Sequence, residues 1–234
     1  MLFRSKPAAV EIDLAATPIR ALNRRLHGVD APVPERVVIR NPEGTHNIAV
    51  GLDAPVEIEV AGPVGYFLGG CNKQARIVVD GHAGRSVGEN IMSGEIRIRG
   101  HASESVGATG RGGFVVVEGN AGSRCGISMK GVDIVVRGDV GHMSAFMAQA
   151  GRLVVCGDAG PGLGDSLYEA VIYVGGTIAG LGADARVEPM SEDDHRVVAE
   201  LLARAGFDLP TAGFKRVASA RSLYNWNVDA DQEY

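Results

Sequence analysis

Seven short apolar runs punctuate the middle of the chain: VEIEVAG, RIVVDG, IRIRG, VVVEG, IVVRG, LVVCG and VIYVG. Each alternates apolar with variable positions, the period of a strand with one face inward. Their closing glycines are Gly62, Gly81, Gly100, Gly119, Gly138, Gly157 and Gly175, spaced by 19 residues until a last step of 18. Two residues before each anchor stand Val60, Val79, Ile98, Val117, Val136, Val155 and Tyr173. Four before it stand Ile58, Ile77, Ile96, Val115, Ile134, Leu153 and Val171. These columns are apolar in every unit, so they share one interior. A fixed period with apolar columns predicts an all-β coil, a parallel β-helix of about seven 19-residue turns. At about 4.8 Å per strand, six intervals make a rod about 29 Å long. A second glycine column, Gly69, Gly88, Gly107, Gly126, Gly164 and Gly182, is interrupted by Ala145. Positive φ and close packing of turn on turn both call for glycine at such corners.

The outward columns carry the stacking signal independently. Asp80, Arg99, Glu118 and Arg137 alternate in sign one residue before the anchors, as do Glu57, Arg76 and Glu95 five before. Opposite charges on adjacent strands favour this register. The column three before the anchors is different. It runs Glu59, Val78, Arg97, Val116, Val135, Val154 and Ile172, and its second half is apolar. An outward apolar stripe needs a cover. Two covers fit: the chain's own C-terminal helix, or a partner subunit. The second makes Val116, Val135, Val154 and Ile172 candidate interface residues, joined by the tail aromatics Tyr224 and Trp226.

The flanks divide the chain into an N-terminal extension with a short helix (1–44), the coil (45–190) and a C-terminal helix with a tail (191–234). Thr17 and Pro18 open the first helix, which runs to about His27 and stops at Gly28. Val37 to Ile39 and Asn47 to Gly51 are expected as prelude strands. Ser191 followed by three acidic residues opens the second helix, with Val197, Val198, Leu201 and Leu202 on one face and a stop at Gly206. This helix is expected to cap the last coil.

Composition narrows the function classes. Glycine takes 33 of 234 positions, about twice its usual share, which fits a turn-dense β protein. The net charge of −5 offers no general basic surface for nucleic acid. No apolar run approaches the ~18 residues of a membrane span, and none resembles a signal peptide, so the expected location is cytoplasmic. Cys71, Cys125 and Cys156 are odd in number and widely spaced, which reads as reduced thiols rather than a disulfide framework or metal site. Glycine-rich stretches at 107–113 and 160–164 lie on the repeat grid, and neither is a phosphate-binding fingerprint. His82, His101, Asn120, Asp139 and Asp158 share one slot in successive turns. Such a column either ligates a metal or, beside glycines, bonds its own backbone. No spacing selects a triad or a carboxylate pair, so no catalytic, cofactor-binding or metal-binding residue is expected in this chain.

At GYFLGG (65–70), GENIMSGEIRIRG (88–100), GSRCGISMKGVDIVVRGDVGH (122–142) and AGRLVVCGDAGPGLGDSLYEAVIYVGG (150–176), the chain resembles the GXGXG-repeat family. This is the domain that closes the large subunit of glutamate synthase and recurs in formylmethanofuran dehydrogenase complexes. The resemblance covers about 45–190 and implies a right-handed parallel β-helix. With the tail SARSLYNWNVD (219–229), the free-standing form is similar to the β-helix subunit of N-methylglutamate synthase. That likeness implies a noncatalytic scaffold for a complex converting methylamine and L-glutamate to N-methyl-L-glutamate and ammonia. The implied partners are a glutamine-amidotransferase-like subunit and an FMN-binding glutamate-synthase-like subunit. FMN, with an iron–sulfur cluster as a second candidate, would sit in a partner. The alternatives are a subunit of a glutamate synthase or formylmethanofuran-type complex and, at greater distance, a hexapeptide acyltransferase, whose 18-residue turn a period of 19 does not match.

Overall fold

The computed structural model describes residues 9–221. Along the chain lie β1 (Val10–Asp13), α1 (Ile19–Leu26), β2 (Arg36–Arg40), β3 (Glu57–Ala61), β4 (Arg76–Val79), β5 (Glu95–Ile98) and β6 (Phe114–Val117). There follow β7 (Lys130–Val136), β8 (Ala150–Val155), β9 (Val171–Val174), β10 (Ala185–Glu188), α2 (Glu192–Ala205) and β11 (Lys215–Ser219). The strands form one sheet in the order β1 to β9, then β11, then β10. Every step from β1 to β9 is parallel. A second, shorter parallel ladder stacks Val64, Ala83, Ala102, Ala121, Val140, Ala159 and Ile178. The chain is therefore an all-β parallel β-helix flanked by two helices. The coil does not begin at residue 45, because β1 and β2 are rungs of the same ladder.

Ile58, Ile77, Ile96, Val115, Ile134 and Leu153 pile inside at 0–2% exposure, above Val60, Val79, Ile98 and their successors. Burying each such side chain contributes about 1.5–3 kcal/mol, so the inward columns fix the register.

The last turn corrects the spacing. β9 pairs with β8 as Arg152↔Val171 and Leu153↔Ile172, which keeps the interval at 19. The glycine seated over Gly157 is Gly176, whose N–H donates to the Gly157 carbonyl at 3.0 Å, and not Gly175. The missing residue falls later, where Leu163 stacks on Leu181. Ile172 therefore points inward at 0% exposure and Tyr173 occupies the outward column. With two adjacent glycines, only the hydrogen-bonded stack decides which one is the corner.

Close approach explains the anchor glycines. Among the seven expected anchors only Gly62 has positive φ, at 142°. A Cβ on Gly119 would stand 2.8 Å from the Gly100 carbonyl oxygen. Positive φ runs through the second column from Gly69 (φ 61°) to Gly164 (φ 67°), and even Ala145 (φ 56°) is left-handed there. Asn47 to Gly51, expected as a strand, is this same turn wall one coil earlier, with Asn47, Ala49 and Gly51 at φ 57–72°.

The ends are closed differently from each other. At the first, α1 buries Leu22 and Leu26 on the core. Its Asn23 amide donates to the Asn47 carbonyl (2.8 Å) and accepts from Ala49 N–H (3.0 Å), so one side chain replaces a strand at an open edge. Pro18, not Thr17, is the N-cap residue, and no side chain caps the helix. At the other end β11 adds antiparallel to β9, and β10 to β11. The expected end cap, α2, lies instead along the flank of the coil.

Candidate functional site

The flank is organised by α2. Ser191 accepts from Asp194 N–H (3.1 Å), and the Asp194 carboxylate accepts from Ser191 N–H (2.9 Å), a reciprocal cap that starts the helix. Gly206 at φ 75° ends it. Val198, Leu201, Leu202 and Ala205 pack on Phe114, Val116, Val135, Val154 and Tyr173, with Phe214 closing the cluster. Val116, Val135 and Val154 are fully buried. Of the two covers open to the apolar stripe, the chain's own helix is in place. The other candidate interface residues, Tyr224 and Trp226, lie outside the described residues.

Tyr173 pins the start of the helix by donating its hydroxyl to Asp194 Oδ1 at 2.7 Å, beside Arg216 Nε at 3.3 Å. Burial and the Asp194 carboxylate push the Tyr173 hydroxyl above its ordinary pKa. For Asp194, burial works to raise the pKa, but bonds from the Ser191 side chain and backbone and from Tyr173 outweigh it and hold the carboxyl below its usual range.

Where α2 stops, the sheet is open. A groove of about 790 Å³ lies between its C-terminal turn, the segment 206–209 and the outward faces of the middle strands. Five arginines line it, Arg76, Arg97, Arg99, Arg137 and Arg204, against the acids Glu118 and Asp208. Arg97 is the fixed member. It donates to the Ala205 carbonyl (2.9 Å) and to Glu118 Oε1 (2.9 Å), and its side chain is 16% exposed. It thereby satisfies one of the last carbonyls of α2, at the negative end of the helix dipole. Arg204 sits 4.0 Å over the Phe114 ring and Arg137 5.8 Å from the Phe207 ring centre. Among the described residues neither has a carboxylate partner. Arg99 and Arg76 reach Asp80 and Glu95 only at 3.5 and 3.8 Å. The groove is a field of guanidinium donors with capacity to spare, suited to carboxylate or another oxyanion.

The other candidates are occupied by the fold. His82 Nδ1 accepts from His101 N–H (2.9 Å), and His101 Nδ1 from Asn120 N–H (2.9 Å). Asn120, Asp139 and Asp158 continue the pattern, each oxygen accepting the N–H of the next coil at 2.6–3.0 Å. The two imidazoles stack at 5.1 Å. This column is a backbone-capping ladder, the second of its two readings. Among the described residues no three His, Cys, Asp or Glu side chains converge as metal ligands. The glycine-rich stretches spend their amides between coils, Gly107 on the Val87 carbonyl and Gly164 on the Ser144 carbonyl, both at 2.9 Å. The three cysteines are unpaired. Burial pushes the Cys125 thiol up to about 12 and the Cys156 thiol up to about 11, with Arg137 opposing the latter, so neither is an activated nucleophile.

In the sequence Arg99 and Arg137 mark the register of the stack and nothing more. Their convergence with Arg204 depends on where α2 lands. One signal was available: Arg137 is followed in its column by Cys156 rather than an acid, which leaves a cation without a partner on that side.

Fold and groove together define a parallel β-helix strapped by one helix, with a cationic groove at the helix end. Protein GlxC of Rhizobium meliloti (strain 1021) is 54% identical to this chain over 225 residues, covering 95% of the chain and 99% of that protein. The chain belongs to the GlxC family. No family model and no solved structure matches it. Among the described residues no helix is long and apolar enough to cross a membrane.

Proposed function

We propose that this chain is a noncatalytic scaffold subunit of a glutamate-synthase-like complex, of the N-methylglutamate synthase type. In this reading it holds an amidotransferase-like subunit and an FMN-binding synthase-like subunit in place while they carry out the transfer from methylamine to L-glutamate. The observation that carries the reading is the use made of the polar side chains along the stack. The residues best suited to chemistry, from His82 to Asp158, are bonded to the backbone of the next coil. What the molecule offers to others is a long in-register wall and a groove rich in arginine. The resemblance of the repeat grid to the GXGXG domain of glutamate synthase supplies the class of complex. Any FMN or iron–sulfur cluster belongs to a partner, and the setting is the cytoplasm.

The test is purification of the tagged chain from its native cell at native abundance, with the eluate analysed by mass spectrometry and by visible absorption. The reading expects co-elution of a flavoprotein and an amidotransferase-like chain, and N-methylglutamate formation only by the assembled set. Formation of N-methylglutamate by the purified chain alone would contradict it, as would elution without a flavoprotein.

A further inference from the structure

The groove at the end of α2 holds donors that the fold does not use. Among the described residues Arg137 and Arg204 have no carboxylate partner, and Arg99 and Arg76 reach theirs only at 3.5 and 3.8 Å. No lysine lines the groove. An ammonium is a mobile point charge, whereas a guanidinium is a planar fork that meets an oxyanion with two parallel bonds. The forks are also held in advance. The Phe114 ring, itself fully buried, supports Arg204 at 4.0 Å, and the Phe207 ring lies 5.8 Å from Arg137. Stacking engages the face of a guanidinium and leaves its N–H edge free for a ligand.

The negative groups nearby are mostly spent. The C-terminal end of a helix disfavours anions, but here the Leu202, Ala203 and Ala205 carbonyls already accept from Phe207 N–H, Gly206 N–H and Arg97. Glu118 is taken by Arg97 at 2.9 Å. Asp208 is the one lining carboxylate without an ion pair among the described residues. Spacing then sets the valence of the ligand. Arg99 and Arg137 occupy the same slot in the coils on either side of Glu118. At about 4.8 Å per rung their backbones stand about 10 Å apart. A single oxyanion group would have to draw both guanidiniums together over Glu118. A ligand with two or more such groups meets them where they stand.

We propose that the groove is a binding site for a small polyvalent oxyanion, a polycarboxylate or a phosphorylated molecule, gripped by Arg99 and Arg137 from the coil and Arg204 from α2. Its volume of about 790 Å³ lies within the range of small-molecule sites, about 300–1,000 Å³. Because the ligand takes hold of helix and coil together, it clamps α2 to the flank and raises the melting temperature. The site does not rest on the scaffold reading. Its test needs only the full chain, so the two stand or fall separately.

The experiment is isothermal titration of the full chain with citrate, pyrophosphate and acetate, in a low-salt buffer free of other polyvalent anions. Saturable binding of one citrate or one pyrophosphate per chain is expected, weakened several-fold in 1 M salt. Acetate should bind about tenfold more weakly or worse, since it forfeits at least one charge-assisted contact. Binding of citrate alone assigns the site to carboxylates, and binding of pyrophosphate alone assigns it to phosphates. Arg137→Gln with Arg204→Gln should weaken binding about tenfold or more by the same arithmetic. Asp208→Asn should tighten it several-fold by removing the unpaired acid, while Arg85→Gln, in an exposed pair with Glu104, should leave it unchanged. If the double variant fails to fold, Arg99→Gln tests the same grip at an exposed position and should weaken binding several-fold. Absence of saturable binding by both polyanions overturns the proposal. So does acetate binding as tightly as they do, or an affinity that the arginine variants leave unmoved. If a polyglutamate peptide binds where citrate and pyrophosphate do not, the groove belongs to a partner's acidic segment and the proposal is likewise overturned.

Discussion

One outward column of the sheet has two fates. In β3 to β5 it carries Glu59, Val78 and Arg97, is only partly buried, and is held by ion pairs such as Arg36–Glu59 at 3.3 Å. In β6 to β9 it carries Val116, Val135, Val154 and Tyr173 and lies buried beneath α2. Under both stretches of the column the backbone ladder is parallel and in steps of 19, the one irregularity being a register shift between Lys130 and Asp133 at the start of β7. The coil is therefore indifferent to what its outer face does. Side-chain identity alone decides whether a helix lies on it or solvent does. The border falls where the apolar run ends, and there Arg97 takes the Ala205 carbonyl while Arg204 reaches back over Phe114. The groove is a product of that border.

The contrast predicts its own failures. The largest expected effect is at Val135→Asp, which places an unpaired carboxylate under α2 and should cost about 3–5 kcal/mol. Val78→Asp, in the same column of the open half, should stay within about 0.5 kcal/mol. Chemical denaturation of the two variants measures the difference, and equal losses would erase the distinction between the halves. Next come the corners, where the halves should agree. Gly81→Ala and Gly157→Ala each bring a Cβ to 2.7–2.8 Å from the backbone of the coil before. Both should lose about 1–3 kcal/mol by the same measurement, because the ladder does not sense the cover.

A smaller effect isolates the helix. Ser191→Ala removes the hydroxyl half of the reciprocal cap and should cost about 1 kcal/mol. It should also flatten the acid limb of stability. The Asp194 carboxyl ionises at lower pH in the folded chain than in the unfolded one. Its contribution is therefore present above the ordinary carboxylate range and is lost as pH falls through the lowered folded value. Thermal melts from neutral to acid pH should show that loss in the parent chain and less of it in the variant. The smallest effect is Arg99→Ala, which breaks an exposed 3.5 Å pair with Asp80 and should cost ~0–1 kcal/mol, vanishing in 1 M salt.

The interior was legible because its columns repeat. From Ile58 to Val155 each inward position is set by a period of two inside a period of 19, and both hold in the folded chain. The α2 boundaries were legible as well, since Ser191 and Gly206 carry their capping chemistry locally. What failed did so where two local signals competed. Gly175 and Gly176 are equivalent as letters, and only the bond from Gly176 to Gly157 separates them, with Tyr173 and Ile172 exchanging faces as a result. Val37 to Ile39 was legible as a strand, now β2, but its place as a rung was not, and Val10 to Asp13 gave no signal, because the intervals of 27 and 21 residues are off the grid, the first holding α1. The groove was out of reach for another reason. It joins residues of four strands to the far end of a helix, and no spacing in the sequence encodes where that helix lies.

Methyl NOE spectroscopy on Ile, Leu and Val-labelled protein tests the central claim most directly. The account predicts cross-peaks between positions 19 apart, Ile77 with Ile96 and Val115 with Ile134, together with peaks from Val135 to Leu201 and Leu202. Absence of the Ile77–Ile96 and Val115–Ile134 cross-peaks, or Val135 methyls without a neighbour on α2, would contradict it.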